Sequence, residues 1–332
     1  LIEGWNTGWD QWGAQGAYDH QTPYDDFDIA EVTRYAAERG VSIIGHHETG
    51  GDVPTYEAVM EDAFRLYKKH GINSIKTGYA GGIYPRGQHH HGQWMVRHYR
   101  KVVETAAKYQ ITLDVHEPVA DTGISRTWPN MMTREGVRGM EYNAWSDGNP
   151  PEHTCIIPFT RMLSGPADYT PGIFDVMLDD WRPDNRVHTT IAKQLALYVV
   201  LYSPLQMAAD LPENYEGHPM FRFIEEVPVD WDETRVLTAD IGDHVTIARR
   251  AGENWYIGSV TDEEMRSLTV PLDFLAPGVR YRATAYADTW RTDWRTNPTD
   301  YQIDEFVLDS TMTLNLKLAP GGGQALTLVP VE

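Results

Sequence analysis

One cysteine, Cys155, stands among 332 residues, which excludes an intrachain disulfide and a zinc site built from thiolates. It leaves the compartment open, because exported bacterial proteins often lack disulfides as well. No segment reaches the roughly 18 consecutive apolar residues that a membrane-crossing helix needs. No Gly-rich phosphate turn follows an apolar strand, so the chief signature of a nucleotide-binding sheet is missing. Positive charge is scarce: 28 Lys and Arg face 48 Asp and Glu, a net charge of −20. A surface that acidic repels phosphate backbones and anionic lipid, which argues against nucleic acid or a membrane surface as partner. Neutral substrates are indifferent to that field. An initiator Met and a signal peptide are also absent. The chain opens Leu1-Ile2-Glu3-Gly4-Trp5, which reads as the end of a buried strand and a start inside a domain.

What is present alternates between strand and helix. Asp28 to Arg39 has the periodicity of an amphipathic helix, with Gly40 closing it. Val41-Ser42-Ile43-Ile44-Gly45 reads as a short buried strand running into His46-His47-Glu48. A helix over about 55–70 ends at Gly71, a strand covers 72–79, a helix covers about 93–109, and a strand over 111–115 leads into His116-Glu117. Repeats of this kind imply parallel strands with right-handed crossovers, as an open sheet or a (β/α)8 barrel. The barrel is favoured because each strand ends in groups costly to bury: Glu3, then His46-His47-Glu48, then Lys76, then His116-Glu117. Further on, 189–202 is a long apolar helical stretch, and Ser203-Pro204-Leu205-Gln206 is expected to form or flank the last strand. From about Pro228 the texture becomes short, partly alternating runs separated by turn residues, the pattern of an antiparallel β-sandwich. The expected division is therefore a barrel over 1–227 and a β-sandwich over 228–332.

Four carboxylates fall in strand-end or loop contexts beside Gly, His or aromatic residues: Glu48, Glu117, Glu135 and Glu141. A single glutamate is most often a solvated surface group, but Glu48 and Glu117 each follow a histidine at the end of an apolar run. Glycoside cleavage needs such a set, one carboxylic acid for the leaving oxygen and a second carboxylate as base or nucleophile. His89-His90-His91 could be a metal site, yet adjacent histidines on a loop rarely converge on one ion, so a structural or substrate-lining role is expected. Of the 11 Trp and 18 Tyr, most should be core. Trp5, Trp94 and Trp128 are the candidates for a sugar-binding cleft.

Val115-His116-Glu117-Pro118, Arg126-Thr127-Trp128-Pro129-Asn130 and Thr133-Arg134-Glu135-Gly136 through Arg138-Gly139-Met140-Glu141-Tyr142 form one dense run. It resembles the active-site core of glycoside hydrolase family 97. Flanking blocks agree, among them Glu3-Gly4-Trp5-Asn6, His46-His47-Glu48-Thr49, Lys76-Thr77-Gly78-Tyr79 and Asp168-Tyr169-Thr170-Pro171-Gly172, and the likeness runs into the C-terminal sandwich. The resemblance implies an α-glycosidase, chiefly an α-glucosidase acting on starch-derived oligosaccharides, periplasmic or secreted in a bacterium. It places Leu1 near the second barrel strand, so the first strand and an N-terminal β-super-sandwich domain would be missing partners that complete the site.

By the same resemblance Glu141 is the general acid, and Glu117 with Glu48 holds and deprotonates the attacking water. Glu117, Glu135 and Glu141 would bind calcium, a hard cation suited to carboxylate oxygens. His46, His47, His116 and Lys76 would hydrogen-bond sugar hydroxyls. Retaining members place an Asp nucleophile at the end of the strand that carries Lys76, where this chain has Gly78; inversion is therefore expected. The alternatives are an α-galactosidase of the same family, a metal-dependent hydrolase of the amidohydrolase type, and a non-catalytic sugar-binding fragment. The second is disfavoured because His46-His47 lacks the His-x-His spacing that class uses.

Overall fold

The computed structural model describes residues 1–11 and 14–331, which form two compact units, Leu1–Gly136 and Val137–Glu332. The first unit is built from α1 (Ile29–Ala37), β1 (Ile44–Glu48), α2 (Val53–Lys69), β2 (Ser74–Gly78), α3 (Gln93–Lys108), β3 (Thr112–Val115) and β4 (Met131–Arg134). Local chemistry sets the helix starts. The Asp28 carboxylate accepts from the Glu31 amide at 3.0 Å, and the Asp52 carboxylate accepts from the Thr55 amide at 3.3 Å and its hydroxyl at 2.9 Å. These bonds satisfy amides that a first helical turn leaves without partners. Gly71, at φ +73°, takes the left-handed position that ends α2.

The four strands are parallel and lie side by side in chain order. Pairing sets His46 beside Lys76 and Glu48 beside Gly78, with Lys76 in turn beside Asp114. Because side chains alternate across a strand, His46, Glu48, Lys76, Gly78 and Asp114 share one face. The other face packs on the helices around Tyr56, Phe64, Tyr67, Ile75, Leu113 and Val115. Gly45 belongs to that second face, where a Cβ would lie 2.4 Å from the Tyr67 ring. Only glycine admits Tyr67 there. The Tyr67 hydroxyl then donates to the His46 carbonyl at 3.1 Å and accepts from the Trp5 indole at 3.1 Å.

Several expectations change. β1 begins three residues later than its apolar run, so His46, His47 and Glu48 lie inside the strand rather than beyond it. β4 was not expected; its four residues, Met-Met-Thr-Arg, are too few for a legible alternation. The closed barrel is not what the described residues show: the parallel sheet has four strands. Leu1–Glu3 is no strand, since its single main-chain bond to this sheet, from the Ile2 amide to the Ile44 carbonyl at 2.8 Å, does not make a ladder. Residues 203–206 are irregular as well, with Pro204 contributing no donor.

The second unit contains α4 (His153–Ile156), α5 (Ile191–Val200), α6 (Pro212–Tyr215), α7 (Phe221–Glu226) and the strands β5 (Glu233–Asp240), β6 (His244–Ala251), β7 (Asn254–Thr261), β8 (Arg266–Pro271), β9 (Arg280–Asp288), β10 (Tyr301–Asp309), β11 (Thr313–Leu318) and β12 (Gly323–Val331). Six of these strands form one antiparallel sheet in the order β10-β9-β12-β7-β6-β5, and β8 pairs with β11. A core of Trp255, Ile257, Leu314, Leu316, Leu326 and neighbours joins the two sheets. The other face of the large sheet receives α5, a helix buried along its whole length. Added Cβ atoms at Gly258 and Gly323 would lie 2.5 Å from the Ala196 carbonyl and 2.7 Å from the Lys193 Cα. That contact explains why the helices after Val137 cluster with the sheet, although the change of sequence texture comes only near Pro228. Among the described residues, no helix is long and apolar enough to cross a membrane.

Candidate active site

The strand ends of the first unit gather ionisable groups on one face. His46, Glu48, Lys76 and His116 are all buried, an arrangement that costs stability and is rarely kept unless it serves chemistry. Glu48 is the most informative of them. Its Oε1 accepts from the amides of Gly50 at 2.7 Å and Ala80 at 3.1 Å. Its Oε2 stands over Gly78, only 2.1 Å from where a Cβ of that residue would be. A side chain of any kind at position 78 would therefore displace the Glu48 carboxylate. Burial, and next among the raising influences the charge of Glu117, pushes the Glu48 carboxyl up to about 7.

Glu117 follows β3 in the left-handed region, with φ +43°, a conformation that a side chain bearing a Cβ adopts only under constraint. Its Oε2 accepts from the Tyr79 amide at 2.8 Å. The Glu117 amide lies 3.5 Å from Glu135 Oε2, and His116 Nδ1 lies 3.6 Å from Glu135 Oε1. Glu117 and Glu135 thus stand next to each other beyond β3 and β4. His46 Nδ1 lies 3.3 Å from Glu3, and the His46 ring centroid is 5.5 Å from that of Trp9. Burial first, and then the Lys76 charge, hold His46 well below its ordinary pKa, so it is a neutral hydrogen-bonding group at pH 7.

His47 goes the other way. Strand alternation turns it from His46 and Glu48 into the helical layer, where Nδ1 meets the Tyr56 hydroxyl at 3.0 Å. Its ring stacks on Tyr67 and Phe64. It does not share the face that carries Glu48. Trp5 is likewise core, packed on Phe27 and Tyr67, while Trp94 and Trp128 lie half-buried against the same cluster. The aromatic residue beside the strand-end histidines is Trp9, which sequence reasoning passed over. The histidine triplet resolves into a structural role for His90, whose Nε2 lies 2.5 Å from the Glu117 carbonyl oxygen.

Glu141 belongs to the second unit. It is exposed on a 3-10 turn over Met140–Ala144. Two buried asparagines pin that turn: Asn143 donates to the Met140 carbonyl at 2.8 Å, and Asn149 donates to the Gly139 carbonyl at 3.1 Å. The Asn149 amide donates to Asn143 Oδ1 at 2.8 Å. An exposed carboxyl on a fixed backbone can deliver a proton without moving its own support. Neither asparagine carried a signal that marked it beforehand.

A family model described as Glycoside hydrolase 97 matches residues 1–137, and one described as Glycosyl-hydrolase 97 C-terminal, oligomerisation, matches residues 230–329. Among solved structures, a Glycoside Hydrolase Family 97 enzyme from Pseudoalteromonas sp. strain K8 is 47% identical, with a TM-score of 0.95. It was determined as a variant in complex with panose and also in complex with acarbose; the match covers 100% of this chain and 54% of that one. Among curated proteins, a retaining alpha-galactosidase of Bacteroides thetaiotaomicron is 34% identical over 91% of this chain and 45% of its own length. A probable retaining alpha-galactosidase of Streptomyces bingchenggensis is 32% identical over 74% of this chain and 35% of its own. The chain spans about half the length of the solved relative and less than half that of the curated ones. It belongs to glycoside hydrolase family 97.

Proposed function

We propose that the protein carrying this chain is an α-glycosidase that cleaves α-glucosidic bonds of oligosaccharides with inversion at the anomeric carbon. The four parallel strands then belong to a (β/α)8 barrel whose strand ends hold the sugar. One observation carries the stereochemistry: Gly78 bears no side chain, and Glu48 Oε2 fills the space a Cβ there would need. A covalent glycosyl-enzyme requires a carboxylate placed for attack; a single displacement requires room for water and a base. In this reading Glu48 and Glu117 orient that water and take its proton, while Glu141 gives a proton to the leaving oxygen. His46, Lys76 and His116 hold hydroxyl groups, and His47 supports the strand from behind.

A proton-accepting Glu48 must be ionised. Since its carboxyl is raised to about 7, kcat/KM falls as pH drops through about 7, the base being lost on protonation. A pH–rate profile checks this. A plateau continuing down to about pH 5 would remove Glu48 from that role.

Glu117 and Glu135 are the residues we assign to a calcium ion: Glu135 Oε2 lies 3.5 Å from the Glu117 amide beyond the strand ends, and carboxylates are the hard oxygen donors such an ion takes. Glu141 is the third carboxylate assigned to it. Bound there, calcium would neutralise the crowded negative charge and fix the carboxylates in place. Chelation is expected to lower turnover by about tenfold or more, with calcium and not zinc restoring it; full activity after chelation would sink the metal assignment.

The choice of glucoside rests on the 47% identical relative with panose and acarbose, both of which contain α-glucosidic linkages. The galactoside reading is supported by the names of the curated relatives, at 34% and 32% identity. Turnover of paired aryl α-glucosides and α-galactosides by the protein that carries this chain separates them. The expected result is a kcat/KM at least about a hundredfold higher for the glucoside, because a site that pairs the hydroxyls of one epimer leaves its own polar groups unpaired with the other.

A further inference from the structure

Glu117 is held from both ends. Its carbonyl oxygen accepts from the Tyr99 hydroxyl and from His90 Nε2, so both lone pairs are engaged. The two donors approach within 3.3 Å of each other. At the other end, the carboxylate takes the Tyr79 amide at 2.8 Å. Tyr79 is fixed in turn. Its ring centroid lies 4.8 Å from that of Tyr99, and its hydroxyl meets His98 Nε2 at 2.8 Å. His98 Nδ1 meets Glu57 at 2.8 Å, and Glu57 also accepts from Lys101 at 2.6 Å. Hydrogen bonding to His98, more than the charge of Lys101, keeps Glu57 down at about 2. His98 therefore donates from Nδ1 to a carboxylate and accepts from the Tyr79 hydroxyl at Nε2.

A left-handed backbone at a residue other than glycine costs on the order of 1–3 kcal/mol and persists only where its surroundings enforce it. At φ +43°, Glu117 meets that description, and the two donors on its carbonyl oxygen are what enforce it. We propose that Tyr99 and His90 are positioning residues for Glu117, whose paired hydrogen bonds to the main chain aim its carboxylate. This rests on the reading of Glu117 as the base. Each acts through the backbone it grips. A small rotation at φ swings the carboxylate away from the Tyr79 amide, and misplacement of that order is felt mainly in the chemical step.

The test uses Tyr99→Phe, His90→Ala, His90→Gln and the pair Tyr99→Phe/His90→Ala in the protein that carries this chain, with kcat, KM and thermal midpoint measured for each. Tyr99→Phe keeps the ring packed on Tyr79 and removes only the hydroxyl. Each single deletion is expected to lower kcat roughly five- to tenfold, and the pair about a hundredfold, while KM stays within about twofold. His90→Gln, which keeps a donor, should recover part of the loss. Unchanged kcat in the double variant, or equal losses in His90→Gln and His90→Ala, would overturn the proposal. Glu117→Gln run alongside separates the two claims. If it keeps turnover, the base assignment fails and the proposal falls with it; if it is inactive while the double variant is not, the positioning role alone is wrong.

Discussion

Glu117→Gln lowers kcat by about a thousandfold while KM changes by no more than a few-fold. Glutamine keeps the size of the side chain and can still accept the Tyr79 amide, so the 2.8 Å hydrogen bond and the left-handed backbone both survive. What disappears is the charge and the basicity. Positioned acid–base groups contribute about 10²–10⁴ to rate, and loss of an interaction used in the chemical step appears in kcat rather than KM. Steady-state kinetics on an α-glucoside, with ligand binding to the variant measured separately, checks the expectation. A loss under tenfold would mean that Glu117 is not the base, however well it is placed. Binding without turnover in the variant, against turnover in the parent, also excludes the reading of a mere sugar-binding protein.

Gly78→Ala tests the same face from the opposite strand. The added methyl would stand 2.1 Å from Glu48 Oε2 and 3.2 Å from His46 Nε2, far inside van der Waals contact. β2 is bonded to β1 and β3 in the first unit's sheet, so the strand has little freedom to retreat. The Glu48 carboxylate must give way, leaving the amides of Gly50 and Ala80. Displacement of a base by about an ångström costs on the order of a hundredfold in rate, and that is the expected loss in kcat. Stability should move little by comparison: overpacking costs typically about 1–3 kcal/mol, and the shifted group is a side chain near the end of its strand. A variant with parental kcat would show that Glu48 is not where the chemistry happens.

The helices were legible because their signals are local. Asp28 and Asp52 precede apolar periodicities, and glycines follow them. The strands were less so. β1 looked apolar over 41–45, but the ladder runs over 44–48 because the polar residues are the ones buried. Hydrophobicity marks a strand poorly where the strand exists to present charge. β4 was not expected, since four residues carry no period of their own, although its neighbour Glu135 stood out as a carboxylate in a strand-end or loop context. Family likeness put His47 in a binding role. Strand alternation, applied to consecutive histidines, separates it from His46 and sends it to Tyr56 and Phe64.

Other features had no sequence signal. Tyr99 and His90 converge on one carbonyl oxygen from the helix α3 and the loop before it, and Asn143 and Asn149 meet across a turn. Such contacts are long-range or conformational, and a single sequence does not encode them in a readable pattern. By contrast, the meaning of Gly78 could be read as an absence. The structure adds that Glu48 Oε2 takes the space a Cβ at position 78 would need, the observation on which the proposed single displacement rests.

The anomer first released separates single from double displacement. Proton NMR of the sugar first released from an aryl α-glucoside, recorded before mutarotation, should show the β-anomer. Release of the α-anomer first would require a glycosyl-enzyme and contradict single displacement at Gly78.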